Sequence, residues 1–171
     1  FGAGPIGTLT IAALKFAGAG RIWAVEPVAH RREMAKAMGA DAVLDTADPV
    51  KTIQADTSKR GVDMAFDCAT GSDTVNHCIG ALARGGRLVY TAIPAHVYVP
   101  VHAPGLRKKE ITFHSVYRSS HQAEKARDVL AENIGLFAPL VTHSRPLDEI
   151  QQAFEVVDRY ADGVGKMIVT V

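Results

Sequence analysis

Apolar residues at Ile6, Leu9, Ala13, Leu14 and Ala17 recur at i, i+3, i+7, i+8 and i+11, which predicts a helix with one apolar stripe behind a glycine-rich start. Arg21-Ile22-Trp23-Ala24-Val25-Glu26 is a short β-prone run that ends in a carboxylate. Residues 30–38 read as a helix closed by Gly39, and Ala42-Val43-Leu44 as a short buried strand. Asp48 starts the next helix, with Pro49 in its first turn and its end near Thr57. Residues 62–67 form a strand and residues 72–83 a helix. Gly85-Gly86 turns the chain into strand 87–93, which Pro94 stops.

Residues 95–105 contain prolines and little periodicity and read as a loop. Residues 111–117 read as a last strand, and residues 120–134 as a helix with Ala123, Ala126, Leu130 and Ile134 on one face. Beyond Pro139 the pattern changes. Leu140-Val141 is a short β piece, Ile150, Ala153, Phe154 and Val157 form a helical stripe, and residues 166–171 a final strand.

Near-continuous apolar strands alternating with helices predict an α/β fold, a doubly wound parallel sheet covered on both faces. Ligands of such sheets sit outside the carboxyl ends of the strands. Residues 2–7, Glu26, residues 68–71 and residues 91–93 are therefore expected to face one crevice.

Gly2-Ala3-Gly4-Pro5-Ile6-Gly7 fits G-x-G-x-x-G. The first glycine permits a tight turn, the second lets a pyrophosphate approach the backbone, and the third lets the helix pack closely on a strand. The helix N-terminus then holds the anion with free N–H groups and its dipole. Glu26 lies 19 residues after Gly7, near the spacing of about 20 expected of the acid that accepts ribose hydroxyls. A carboxylate there repels a 2′-phosphate and favours NAD over NADP. Arg31 and Arg32 are the counter-signal, since arginines in this loop pair 2′-phosphates or simply form the solvated face of a helix. Strands average about 5–6 residues, and Phe1 alone precedes the motif. The sheet is accordingly expected to lack its first strand and the chain to have lost an N-terminal part.

Composition narrows the function further. Lys+Arg 19 against Asp+Glu 18 gives a net charge of +1, too balanced for a nucleic-acid surface. No apolar run reaches the roughly 18 residues of a membrane span, and no signal peptide opens the chain, which implies a cytoplasmic location without a membrane partner. Cys68 and Cys78 are too few for a disulfide scaffold.

Several stretches together resemble the C-terminal part of a zinc-containing medium-chain alcohol dehydrogenase. They are residues 2–7, Arg31-Arg32-Glu33-Met34-Ala35-Lys36, Met38-Gly39-Ala40-Asp41, Phe66-Asp67-Cys68 and Gly85-Gly86-Arg87-Leu88-Val89. Pro139-Leu140-Val141-Thr142-His143, Asp148-Glu149-Ile150-Gln151-Gln152-Ala153-Phe154 and Gly165-Lys166 complete the set. The resemblance implies a Rossmann-type NAD-binding domain over residues 1–136. It also implies that residues 137–171 return to a GroES-like catalytic domain. Gly2, Gly4, Pro5, Ile6 and Gly7 would meet the cofactor phosphates, and Glu26 and Arg31 the adenosine ribose. Cys68, Ala69 and Thr70 would line the cofactor crevice, and Thr91, Ala92 and Ile93 the nicotinamide end. Val116, Tyr117 and Arg118 would touch the nicotinamide, with Lys166 near the pyrophosphate.

Val116-Tyr117-Arg118 most resembles the sorbitol and xylitol dehydrogenases, in which the arginine also reaches a substrate hydroxyl. Ser119 departs from the tyrosine those enzymes carry at that position. The implied chemistry is Lewis-acid activation of an alcohol or polyol by zinc and hydride transfer to NAD, with zinc ligands and proton relay outside this chain. Related enzymes pair the edge strand 111–117, which opens on Ile111 and closes on Tyr117, across a homodimer or homotetramer.

Seven histidines invite a metal site, but none falls at ligand spacing with a cysteine or glutamate, and surface or capping roles account for them. A short-chain dehydrogenase needs Tyr-x-x-x-Lys. Positions four after Tyr90, Tyr98, Tyr117 and Tyr160 are Pro94, His102, His121 and Val164, which excludes it. A methyltransferase accounts for neither Lys166 nor the C-terminal helix and strand. Two rivals remain: a non-catalytic NAD(P)-binding module, and a medium-chain reductase that uses NADP without zinc.

Overall fold

A computed structural model describes residues 1–45, 47–69, 71–93 and 97–171, and the chain forms two compact units, Phe1–Arg118 and Ser119–Val171. The first unit alternates as the pattern requires. Its elements are α1 (Pro5–Phe16), β1 (Trp23–Val25), α2 (Ala29–Ala37), β2 (Ala42–Leu44), α3 (Pro49–Asp56), β3 (Val62–Asp67), α4 (Thr74–Ala81), β4 (Leu82–Tyr90), α5 (Ala103–Lys108) and β5 (Thr112–Ser115). All its strand pairs are parallel: β1 with β2, and β3, β4 and β5 in that order. This is the Rossmann-like α/β architecture that short apolar strands between helices predict.

Local chemistry explains the boundaries. The Asp48 carboxylate accepts the Lys51 amide at 3.0 Å and caps α3, whose first turn holds Pro49. Ala65, Val75, Cys78, Ile79, Leu82, Leu88 and Ile111 form a buried cluster where α4 lies on β3 and β4. At the α4–β4 junction the Lys109 ammonium donates to the carbonyls of Ile79, Gly80 and Leu82 at 2.9, 2.7 and 2.7 Å. It thereby satisfies groups that a helix C-terminus leaves open.

In the first unit α1, α5 and β4 differ from the pattern. α1 forms where expected but buries Gly7, Thr8, Ile11 and Ala12, while Ile6 and Leu9 of the expected stripe are exposed. Small residues take the contact face because the helix starts against the backbone of residue 2. α5 occupies part of the expected loop 95–105; it is a short helix with proline in its first turn, too brief to show a period. β4 begins at Leu82, before the expected Gly85-Gly86 turn, with a register shift against β3 between Val62 and Met64.

The parallel array is interrupted between β1 and β3. There the Phe1 amino group donates to the Phe66 carbonyl at 2.8 Å. The Cys68 amide donates to the Phe1 carbonyl, and the Gly2 amide to the Val25 carbonyl, each at 2.9 Å. Residues 1 and 2 thus bridge the carboxyl ends of the two strands, and the rest of the gap is a cavity of about 430 Å³.

The second unit contains α6 (Ala123–Glu132), α7 (Ile134–Phe137), β6 (Val141–Pro146), α8 (Ile150–Asp158) and β7 (Lys166–Thr170), with β6 parallel to β7. The expected helix 120–134 is thus shorter, and α7 follows it directly. The Asn133 side chain between them donates to the Val129 carbonyl at 2.9 Å. The stripe of α8 buries Ala153 but leaves Phe154 68% exposed. Among the described residues no helix is long and apolar enough to cross a membrane.

Candidate functional site

The N-terminus of α1 is built to stay open. Gly4 caps it without a side chain, Pro5 occupies the first turn, and no acidic residue follows there, so its amide dipoles face outward unneutralised. Three glycines shape the approach differently. Gly2 has φ +84°, a left-handed conformation that side chains resist. A Cβ on Gly7 would lie 1.8 Å from the Gly2 carbonyl oxygen, so only glycine lets the helix start this close to the preceding turn. A Cβ on Gly4 would meet nothing nearer than the Arg31 guanidinium at 3.8 Å. The backbone at Gly4 is therefore open to a ligand, which is the fit an approaching phosphate requires. Pro5 and Ile6 are exposed beside it, and the buried Thr8 hydroxyl donates back to the Gly4 carbonyl.

Glu26 follows β1 and is only 3% exposed. Its two carboxylate oxygens accept the Ala3 amide at 2.7 Å and the Val28 amide at 3.0 Å. These bonds tie the acid at the end of β1 to the glycine loop and leave lone pairs on both oxygens for hydroxyl donors. The arginines divide the work. Arg32 donates to the Glu26 and Pro27 carbonyls at 2.9 and 2.7 Å and pairs with Asp45 at 3.2 Å, so it holds the loop. Arg31 stands over Gly4.

At the end of β3, Asp67 is fully buried. It accepts the Ala69 amide at 3.1 Å and the Thr74 hydroxyl at 3.0 Å, which shapes the loop that carries Cys68 and Ala69. Thr70 lies outside the described residues. The Asp67 carbonyl in turn accepts the Thr91 and Ala92 amides, both at 3.0 Å, and the Thr91 hydroxyl at 2.9 Å. That hydroxyl also lies 3.1 Å from the Cys68 sulfur. Burial pushes the Asp67 carboxyl above its ordinary value, opposed by the Ala69 and Thr74 bonds and the charge of the N-terminus.

Sequence patterning placed Ala3 within the glycine motif but singled out neither Asp67 nor Thr8 for the site, because nothing local marks a polar side chain at a strand end or in a first helical turn as buried.

The structure thus joins Gly2, Glu26, Cys68, Ala69, Thr91 and Ala92 through one hydrogen-bonded line of strand ends. Ile93 follows, 84% exposed. At the end of β5 the Val116 amide donates to the Tyr90 carbonyl at 2.9 Å. Tyr117 is exposed, and the Arg118 guanidinium lies 5.1 Å from its ring centre; Arg118 has φ 54°, which turns the chain there. Lys166 opens β7 in the second unit, opposite Val141 and exposed. Among the described residues no group of three or more His, Cys, Asp or Glu side chains is placed to hold a metal ion.

A family model described as zinc-binding dehydrogenase matches residues 5–133. The chain belongs to that family. It is 31% identical over 159 residues to the sorbitol dehydrogenase of Bacillus subtilis (strain 168), covering 90% of this chain and 44% of that protein. The L-threonine 3-dehydrogenase of the same strain is 29% identical over 163 residues, with 91% and 46% covered. The crystal structure of 2R,3R-butanediol dehydrogenase from Bacillus subtilis superposes with a TM-score of 0.89 at 28% identity, covering 100% of this chain and 49% of that one. The chain spans about half the length of the curated relatives it matches. Its first unit carries the Rossmann-like fold of that family.

Proposed function

We propose that this zinc-binding dehydrogenase domain is the NAD-binding part of a cytoplasmic, zinc-dependent enzyme that transfers hydride between a secondary alcohol or polyol and NAD. The observation that carries the reading is the carboxylate of Glu26, bonded to the Ala3 amide at 2.7 Å beside an uncapped helix N-terminus. Those two features recognise the two ends of an adenosine diphosphate. The α1 N-terminus takes the pyrophosphate over Gly4, and Glu26 accepts the ribose hydroxyls and repels a 2′-phosphate. Arg31, over Gly4, is placed for the same nucleotide half.

NAD supplies the hydride acceptor when bound. Thr91, Ala92, Ile93, Val116 and Tyr117 are the wall offered to its nicotinamide end, and Arg118 the group offered to a substrate hydroxyl. The zinc of this reading is held by residues outside this chain. A polyol substrate is supported by the sorbitol dehydrogenase relative.

In the same reading residues 1–136 are the nucleotide domain and residues 137–171 belong with a catalytic domain. The exposed Leu147, Phe154 and Val157 support this, as an apolar face that such a domain would cover. Two copies associate along β5, whose Phe113 and neighbouring Val116 are 43% and 44% exposed.

Titration of NAD and NADP against Trp23 fluorescence tests the core of the proposal, since Trp23 is half-buried in β1, three residues before Glu26. Saturable NAD binding and at least about tenfold weaker NADP binding are expected; equal or inverted affinities overturn the Glu26 assignment. Zinc content and turnover of a polyol panel by the full-length enzyme test the chemistry, and a metal-free, inert protein removes it.

A further inference from the structure

β4 ends by wrapping around one carbonyl. Asp67 lies opposite Tyr90 in the parallel register of β3 and β4, so the amide of the next residue, Thr91, donates to the Asp67 carbonyl at 3.0 Å as the last rung of that ladder. The Ala92 amide donates to the same oxygen at 3.0 Å. A strand that continued straight would aim that amide away from β3. The chain therefore turns at Thr91 and carries Ala92 and Ile93 off the sheet.

A side chain closes this turn. The Thr91 hydroxyl donates to the Asp67 carbonyl at 2.9 Å and lies 3.1 Å from the Cys68 sulfur. A hydroxyl has a single proton to give, and both groups in reach of this one belong to the protein. The anchor is itself held: the Asp67 side chain is fully buried and accepts the Ala69 amide and the Thr74 hydroxyl. On the other side of β4 the Val116 amide donates to the Tyr90 carbonyl at 2.9 Å, one residue before the turn.

What the turn presents is otherwise loosely placed. Ala92 is half-buried, and Ile93 is 84% exposed, so its direction is set by the turn before it rather than by burial. The adenosine half of the crevice has separate supports, since Glu26 is held by the Ala3 and Val28 amides. Loss of one hydroxyl at position 91 should therefore loosen one end of the crevice and leave the other as it is.

We propose that Thr91 is a positioning residue for the nicotinamide end of the cofactor. Its hydroxyl is committed to Asp67 and Cys68, donates nothing to the cofactor, and fixes the turn that presents Ala92 and Ile93. This inference rests on the NAD reading above. It differs from a direct contact in that the hydroxyl acts before any ligand arrives.

The test compares the full-length enzyme with Thr91→Val, which keeps the shape and removes the hydroxyl, and with Thr91→Ser, which keeps the hydroxyl. Three quantities are read: hydrogen exchange of the Ala92 amide without ligand, affinity and emission of bound NADH, and affinity for ADP-ribose, which lacks the nicotinamide. In Thr91→Val the Ala92 amide should exchange at least about fivefold faster. NADH should bind about fivefold more weakly, with its emission moved toward that of free NADH. ADP-ribose should bind within about twofold of wild type, and Thr91→Ser should restore all three quantities. Weaker NADH binding with unchanged Ala92 exchange overturns the proposal, for then the hydroxyl meets the cofactor directly. Unchanged NADH binding and emission in Thr91→Val overturns it as well. An equal loss of ADP-ribose, or a serine variant that behaves like the valine one, does the same, because the effect is then general or belongs to the methyl group. A wild-type enzyme that binds neither ADP-ribose nor NADH overturns the NAD reading itself, and one that binds both upholds that reading whichever way the Thr91 variants fall.

Discussion

Glu26 Oε2 accepts the Ala3 amide at 2.7 Å across 23 residues of sequence. The acid at the end of β1 and the turn before α1 are therefore one structural piece, and on the proposed reading a change at either should alter both folding and nucleotide binding.

Glu26→Gln separates these effects. It places an amide N–H₂ against one of two backbone donors, Ala3 or Val28, and should cost about 1–3 kcal/mol of stability in urea denaturation. It should also weaken NAD binding about tenfold and erase the preference over NADP, as read by calorimetric titration. Retained discrimination would show that the carboxylate is not the ribose acceptor.

The glycines of the loop divide in the same way. Gly7→Ala drives a Cβ to 1.8 Å from the Gly2 carbonyl oxygen and should cost about 4 kcal/mol or prevent folding. Gly4→Ala meets only Arg31 at 3.8 Å. It should leave stability within about 0.5 kcal/mol while weakening NAD binding at least tenfold, because the methyl occupies the phosphate path. Paired thermal melts and binding isotherms check both; a Gly4→Ala protein that binds normally moves the pyrophosphate elsewhere.

Asp67 carries a pH signature. Burial raises its carboxyl above the ordinary 3.8, so the folded state holds a proton that the unfolded chain has already released. Stability from this group therefore falls as pH rises from 3.8 through the folded value, and the loss is complete above it. Denaturation midpoints measured from about pH 4 to neutrality should show the wild type losing stability relative to Asp67→Asn as pH rises. The opposite slope would mean that the Ala69 and Thr74 bonds outweigh burial.

The two thiols should differ in reactivity. Cys78 is fully buried and its thiol is pushed up to about 12 by burial, whereas Cys68 is partly accessible at the crevice. Treatment with a disulfide reagent at mild alkaline pH should label Cys68 alone, and saturating NAD should slow that labelling. Mass spectrometry of the labelled peptides decides; modification of Cys78 in the folded protein would contradict the packing of α4.

Patterns of short range were legible in the chain itself. Strand 62–67, the Asp48 cap with Pro49 and the glycine turn ahead of α1 all appear where the residues put them, since each depends on neighbours within about a turn. The hidden face of α1 was not legible. Its apolar stripe pointed to Ile6 and Leu9, but closeness to the Gly2 backbone favoured the smaller Gly7, Thr8 and Ala12. α5 escaped because six residues are too few to display a period.

The sequence by itself determined the alternation of helix and strand, the glycine motif and the carboxylate at position 26, because all three are local spacings. Only the tertiary structure decided that Asp67 is buried and gathers the ends of β3 and β4, and that Lys109 closes the end of α4. It also decided that Phe1 and Gly2 bond the ends of both β1 and β3. Those relationships join groups up to 65 residues apart in sequence. They follow from strand register and desolvation, which no periodicity along the chain encodes.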